Sequence, residues 1–397
     1  MNLTTFISFG GIIKDMRKKM SMSFPELMGC VFMGVFLGIL LNLNGDVIYE
    51  TLLEIGIFCV LLYFCLFVII SLLLATLVHE IGHVVCGILS GYKFISFRAF
   101  NVMLLNKDGK ITFTKDSIPG TSGDCRMAPP DLVDGKMPVF WYLLGGSLFN
   151  FIFALVAIIP FVLHVQAPVF LLFCGVFIFV NIVCLLANVT PKVLYMPNDG
   201  HNLKELLKNK KNIRILWINM KILEQVHKGV RLSDMPDEWF SLSDDDIGVD
   251  AVASNYRAIV CERLCLMRAY NDAIPLIERA LYGEYKLTGV AQTSLAASHF
   301  YISVLQGDFD KAKEVFERYV AQYDKMLKNE IVYSRIKYAY KLITKPTCTC
   351  VEKQKKHFLD MIDKMDNSVY SFMMPDELAF FEEMEAAIKE AQATQNT

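Results

Sequence analysis

No cysteine framework holds this chain together. Its eleven cysteines are scattered. Cys59, Cys65, Cys174 and Cys184 lie in apolar runs, and Cys261 and Cys265 stand at helical spacing. Cys348-Thr349-Cys350 is the sole close pair, in a loop-like stretch. This spacing fits neither a disulfide scaffold nor a zinc finger, so thiols in a reducing compartment are expected. A basic face is also missing. Lys and Arg number 39 against 41 Asp and Glu, a net charge of -2, so nothing points to nucleic acid. The N-terminus has no signal-peptide cleavage pattern, because its first apolar run follows the basic residues Lys14, Arg17, Lys18 and Lys19. After about residue 190 no apolar run is long enough to cross a bilayer.

What remains is a chain of two halves. The 397 residues are 54% hydrophobic, with a mean hydropathy of +0.39. Almost all of that excess precedes residue 190. The apolar runs predict four spans, at about 27–43, 52–90, 138–163 and 169–187, after an N-terminal segment 1–26. Between the second and third spans, Phe94 to Leu105 and Lys110 to Phe113 flank Asn106-Lys107-Asp108-Gly109, which predicts a β-hairpin over 94–113. The loops near 42–51 and 164–168 have no Lys or Arg, whereas the N-terminus, residues 91–137 and everything after 190 have many. The positive-inside rule puts those three regions and both termini in the cytoplasm.

The second half reads as soluble helix. Residues 201–229 look amphipathic, with Leu203, Leu206 and Leu207 on one face, and the acidic stretch Ser241 to Asp246 reads as a linker. The segment 206–246 is thus helix and linker, 247–392 a helical domain and 393–397 a disordered tail. Tyr270 to Arg279 aligns with Phe309 to Arg318 at an offset of 39, resembling the second helix of tetratricopeptide repeats. The expected fold is mainly α: a polytopic membrane helix bundle with a small β-hairpin, followed by a repeat-like C-terminal domain. A helical surface of that kind suits a protein or peptide partner.

One motif carries chemistry. His79-Glu80-Ile81-Gly82-His83 closes the second apolar run. Positions i and i+4 share a helix face, so two imidazoles can reach one metal ion. Glu80 adjoins the first of them and is placed to take a proton from a metal-activated water. Ionisable residues at membrane depth are costly without a partner, which favours a functional site. A third protein ligand is needed. By spacing, Asp199 is a candidate, with helix capping as its alternative role. Glu205 and Glu224 are rival third ligands. His201 reads as an exposed helix residue or a supporting partner, and Asn181 as a hydrogen-bonding contact between helices.

The membrane half resembles the site-2 protease family of intramembrane zinc metalloproteases over roughly residues 65–205. The resemblance rests on His79 to His83, on Gly146-Ser147-Leu148-Phe149-Asn150, similar to the family's Gly-Pro-x-x-Asn, and on Asn188-x-x-Pro191 followed by Asp199-Gly200. It implies a zinc metalloendopeptidase acting in regulated intramembrane proteolysis. In that reading Glu80 is catalytic, His79, His83 and Asp199 hold Zn2+, and Asn150 and Asn188 bind substrate. It also implies a bacterial cell membrane as location. The substrates implied are membrane proteins or peptides such as anti-sigma factors, signal-peptide remnants or pheromones. Family β-elements present substrate as an added strand, which here would lie beside Phe94 to Leu105. The Pro191–Asp199 gap is three residues longer than the family spacing, so a catalytically inactive membrane scaffold presenting the helical domain is the alternative.

Overall fold

A computed structural model describes residues 34, 35, 38, 55–107, 109–115, 120–193, 195–243, 247–283, 285–365 and 370–395. The N-terminal segment 1–26, most of the expected span 27–43, the start of the expected span 52–90 and the acidic residues 244–246 lie outside the described residues. Among the described residues the fold is mainly helical, with one small antiparallel sheet. Contacts divide the chain into two units, residues 1–82 with 144–190 and residues 83–143 with 191–397. The dividing line passes between Gly82 and His83, inside one unbroken helix.

In the first unit that helix, α1 (Ile57–Leu89), is 33 residues long. At 1.5 Å per residue it measures about 50 Å, more than the hydrocarbon thickness of a bilayer. Side chains such as Phe58, Leu61 and Leu62 are exposed, as suits a lipid-facing surface. The expected third span is two helices, α2 (Val139–Val156) and α3 (Ile159–Val162). Pro160 supplies the reason: it has no N–H, and its ring collides with the carbonyl four residues back. Helix α4 (Pro168–Val189) opens with proline in its first turn, where no N–H is missed. The three regions Phe58–Leu89, Val139–Val162 and Pro168–Val189 are long and apolar enough to cross a membrane, which is consistent with a membrane protein. Helices α1 and α2 meet at Gly82, where a Cβ would lie 2.3 Å from the Gly145 carbonyl oxygen. Such close approach through small residues is how helices pack in lipid.

The second unit begins at His83, within the last turns of α1. The expected hairpin is a four-stranded sheet of order β3-β2-β1-β4, with β1 (Lys93–Ala99), β2 (Val102–Lys107), β3 (Lys110–Lys115) and β4 (Gly123–Ala128). The turn before Gly109 falls as expected, with Lys107 opposite Lys110. Phe94 to Leu105 is not one strand, however. It turns at Phe100-Asn101, where Ala99 pairs with Val102 and Phe100 takes φ 56°. Buried Arg98 holds that uncommon conformation by donating to the Phe100 carbonyl at 2.7 Å and to Gly123 at 3.3 Å. Strand β4 pairs with β1 and packs Met127 into the gap left by Gly87 on α1.

Two helices, α5 (Asp199–Lys208) and α6 (Lys211–His227), replace the single amphipathic helix expected over 201–229. Leu203 and Leu206 are buried and Leu207 is exposed, and the helix ends at Lys208 with Asn209 as its cap. The C-terminal helices are α7 (Ala251–Leu266), α8 (Tyr270–Tyr282), α9 (Gly289–Leu305), α10 (Phe309–Val315), α11 (Asp324–Leu327), α12 (Ile331–Thr344), α13 (Thr349–Met365) and α14 (Met374–Gln395). The two aligned segments do occupy equivalent places. Each opens the second helix of a pair, just after a left-handed residue, Arg268 (φ 59°) or Gly307 (φ 76°). The core stacks Phe316 on Tyr340 at 4.2 Å and Phe358 on Phe381 at 4.6 Å. Residues 393–395 end α14 rather than forming a tail. The sulfurs of Cys348 and Cys350 meet across a Cα separation of 5.1 Å, so these two are not independent thiols.

Arg126 of β4 ties the sheet to this helical domain. It bonds Asp124 at 2.6 Å and donates to the Tyr370 hydroxyl at 2.8 Å. Trp217 of α6 adds a bond to the Pro130 carbonyl at 2.9 Å.

Within the domain, burial pushes the Glu262 carboxyl up to about 7, helped by the nearby Glu377, which pairs with Arg335 at 2.8 Å. A folded pKa above the ordinary 4.5 contributes stability that is complete below that value and is lost as pH rises through about 7. The unfolding temperature of this domain should therefore fall between about pH 5 and pH 8, by no more than about 3 kcal/mol of stability. Glu262→Gln should flatten that slope in pH-dependent thermal melts. An unchanged slope in the variant would contradict it.

Candidate functional site

The site is built on the last turns of α1, where the apolar run takes in two histidines and a glutamate. His79, Glu80 and His83 are all buried, at 8%, 7% and 7% exposure. Buried polar groups need partners, and here the partners orient both imidazoles and place a proton on each Nδ1.

His79 is held by a chain of amides in the first unit. Asn181 of α4 donates its Nδ2 to the Phe177 carbonyl at 2.9 Å, so its Oδ1 must accept. Asn150 of α2 donates its Nδ2 to that oxygen at 2.8 Å and to the Ala75 carbonyl at 3.0 Å. The Oδ1 of Asn150 therefore accepts, and the His79 Nδ1–H donates to it at 2.8 Å. Two backbone carbonyls thus settle the orientation of both amides. With Nδ1 carrying the donated proton, a neutral His79 ring has its lone pair on Nε2.

His83 is set the same way in the second unit. Its Nδ1–H donates to the Tyr142 carbonyl at 2.7 Å, so when the ring is neutral its lone pair is on Nε2. That nitrogen faces Oδ2 of Asp199 at 3.3 Å. A lone pair opposite a carboxylate oxygen is satisfied by a proton or by a cation. At 3.3 Å the pair fits a proton shared as an imidazolium–carboxylate contact, and it equally fits a cation, because donors about 2.0–2.1 Å from a tetrahedral centre stand about 3.3–3.4 Å apart. His79 stands one turn before His83 on the same helix. The ligand atoms of His79, His83 and Asp199 accordingly lie within 4.8 Å of one another. Two imidazole nitrogens and a carboxylate oxygen form a donor set that zinc accepts, with each Nδ1–H held by a carbonyl-type oxygen as in known zinc sites.

Asp199 is the first residue of α5 and is not its cap. Asn198 is the cap, accepting from the His201 backbone N–H at 3.0 Å. Of the rival third ligands, Glu224 bonds Lys228 at 2.6 Å and Lys221 at 3.5 Å. Glu205 is not in the three-residue group. His201 is half-buried rather than exposed. Burial lowers its pKa, and its Nε2 has no partner among the described residues. Asn150, expected to hold substrate, is found holding His79. Asn188 donates to the Cys184 carbonyl of its own helix at 3.0 Å. The sequence suggested that Asn181 bonds another helix, but not that its bond sets a histidine tautomer. The Tyr142 carbonyl has no side-chain signal by which it could have been found.

Asn181→Leu removes the acceptor that orients Asn150 and should weaken metal binding by about 10–100-fold, the usual cost of losing a supporting partner. Competition against a chromophoric chelator measures this, and wild-type affinity in the variant would refute the relay.

Comparison with family models, curated proteins and solved structures finds no match to this chain.

Proposed function

We propose that the chain is an intramembrane zinc metalloprotease of the site-2 kind, in which His79, His83 and Asp199 hold one zinc ion and Glu80 moves the proton. The observation that carries this reading is the pair of fixed imidazoles, with the Asp199 carboxylate 3.3 Å from His83 Nε2. A zinc ion bound there would supply a water ionised near neutral pH and would polarise a carbonyl.

The chain's own residues do the rest. Glu80, beside His79 and buried, takes the proton of the attacking water and returns it to the leaving amine. Asn150 and Asn181 keep His79 from turning, so its Nε2 stays directed at the metal. A substrate helix hides its amides in internal hydrogen bonds and must be unwound before it can react. Strand addition is one way to hold the unwound stretch. Phe94 to Leu105 cannot offer an edge for this, because β1 and β2 are both interior strands. Among the described residues β3 pairs with β2 alone, and Ile111 and Phe113 on it are 53% and 78% exposed. In this reading β3 is the edge that receives substrate. Cytoplasmic placement of the sheet, the helical domain and both termini follows from the positive-inside pattern.

The test is cleavage of a single-span substrate in liposomes by the wild type and by Glu80→Gln side by side. Fragments from the wild type alone support the protease. Equal yields from both would leave a membrane scaffold.

A further inference from the structure

The Pro191–Asp199 stretch, longer than the resembled family's spacing, has a built anchorage. Val193 and Pro197 form an antiparallel bridge, the Asn198 N–H donates to the Lys192 carbonyl at 3.1 Å, and the Lys192 N–H donates to Asn198 Oδ1 at 3.0 Å. That same Asn198 oxygen caps α5. The base of the loop and the start of the helix bearing Asp199 are therefore held by one side chain.

The tip of the loop is held by the helical domain. The Tyr195 carbonyl accepts the Val290 N–H at 3.2 Å, one of the donors left over in the first turn of α9. The Thr293 hydroxyl hydrogen is committed to the Gly289 or Val290 carbonyl, at 2.9 or 3.0 Å, so the Tyr195 O–H donates to Thr293 at 2.9 Å. The ring meets Tyr323 edge-on at 5.0 Å and packs against the core of the helical domain. Gly289 is what admits it: a Cβ there would lie 2.4 Å from Tyr195 Cδ2. Ring, hydroxyl and carbonyl are thus all engaged by α9 and its neighbours, more than an exposed bulge would need.

We infer that Tyr195 is a positioning residue through which the C-terminal helical domain sets the place of the Asp199 carboxylate. It touches no ligand atom. It acts by fixing the loop whose closing residue caps α5. The inference rests on the metal centre proposed above, and it gives the helical domain a direct hold on that centre.

The experiment uses the full-length protein in nanodiscs with Co2+ as the probe, and reads affinity and band shape in the visible spectrum. Tyr195→Ala and Gly289→Ala should lower Co2+ affinity by about 10–100-fold and change the band. Tyr195→Phe keeps the ring and the carbonyl contact and loses only the bond to Thr293, so it should lose less Co2+ affinity than Tyr195→Ala. Val304→Ala, buried on the same helix but not among the groups that hold Tyr195, controls for general loosening and should bind as the wild type does. Hydrogen exchange gives a readout independent of metal: Tyr195→Ala, and not Val304→Ala, should speed exchange over residues 195–202. Wild-type Co2+ binding and wild-type exchange in Tyr195→Ala would overturn the positioning role and leave the protease reading intact. A wild type that takes up no Co2+ would overturn the metal centre, and the role of Tyr195 with it.

Discussion

Glu80→Gln is expected to lower peptide cleavage by about 10²–10⁴-fold, the range that general acid–base catalysis supplies. The substitution keeps the shape of a side chain that is 7% exposed, so packing at the end of α1 should survive. It removes the one carboxylate in His79-Glu80-Ile81-Gly82-His83, the group that in this reading takes the proton and gives it back. The bonds that fix the imidazoles run to Asn150 and to the Tyr142 carbonyl, and Glu80 contributes to neither. Metal content should therefore stay at the wild-type level while turnover falls. Mass spectrometry of a single-span peptide in liposomes, with metal analysis of the same sample, reads both. Lost metal together with lost activity would make Glu80 a structural residue instead.

Asp199→Ala is expected to cost more than about 100-fold in zinc affinity, beyond the 10–100-fold that removal of a supporting partner brings. The carboxylate is the anionic member of the group. Without it two neutral imidazoles remain, fewer protein ligands than a catalytic zinc site uses. Glu205→Ala is the matching control. It lies on the same helix, six residues on, and outside the ligand group, so it should bind zinc as the wild type does. If Asp199→Ala retained full occupancy and Glu205→Ala did not, the third ligand would be Glu205, and the site would be of a different metalloprotease type.

The apolar runs made α1, α2 and α4 legible, because 20 or so uncharged residues in a row have few other uses. The motif at 79–83 was legible for a different reason: i, i+4 spacing maps directly onto a helix face. What could not be read were features set by distant partners. The turn at Phe100 carries no glycine, and it exists because Arg98 reaches back to bond it. Strand β4 has no alternating pattern, and it forms because β1 offers an edge and Gly87 a gap for Met127. Leu207 fits an apolar stripe by spacing, yet it is exposed while Leu203 and Leu206 of the same helix are buried. Pro160 was in plain view, and the break it makes in the third span could have been anticipated. The role of Asn150 depends on Asn181, 31 residues on in another helix, and no local pattern records such a bond.

X-ray absorption at the zinc edge of the loaded, full-length protein bears most directly on whether α1 and the start of α5 share one ion. Two imidazole nitrogens and a carboxylate oxygen at about 2.0–2.2 Å are predicted, with the oxygen shell reduced in Asp199→Ala. Sulfur at about 2.3 Å, or a spectrum identical in wild type and Asp199→Ala, would contradict it.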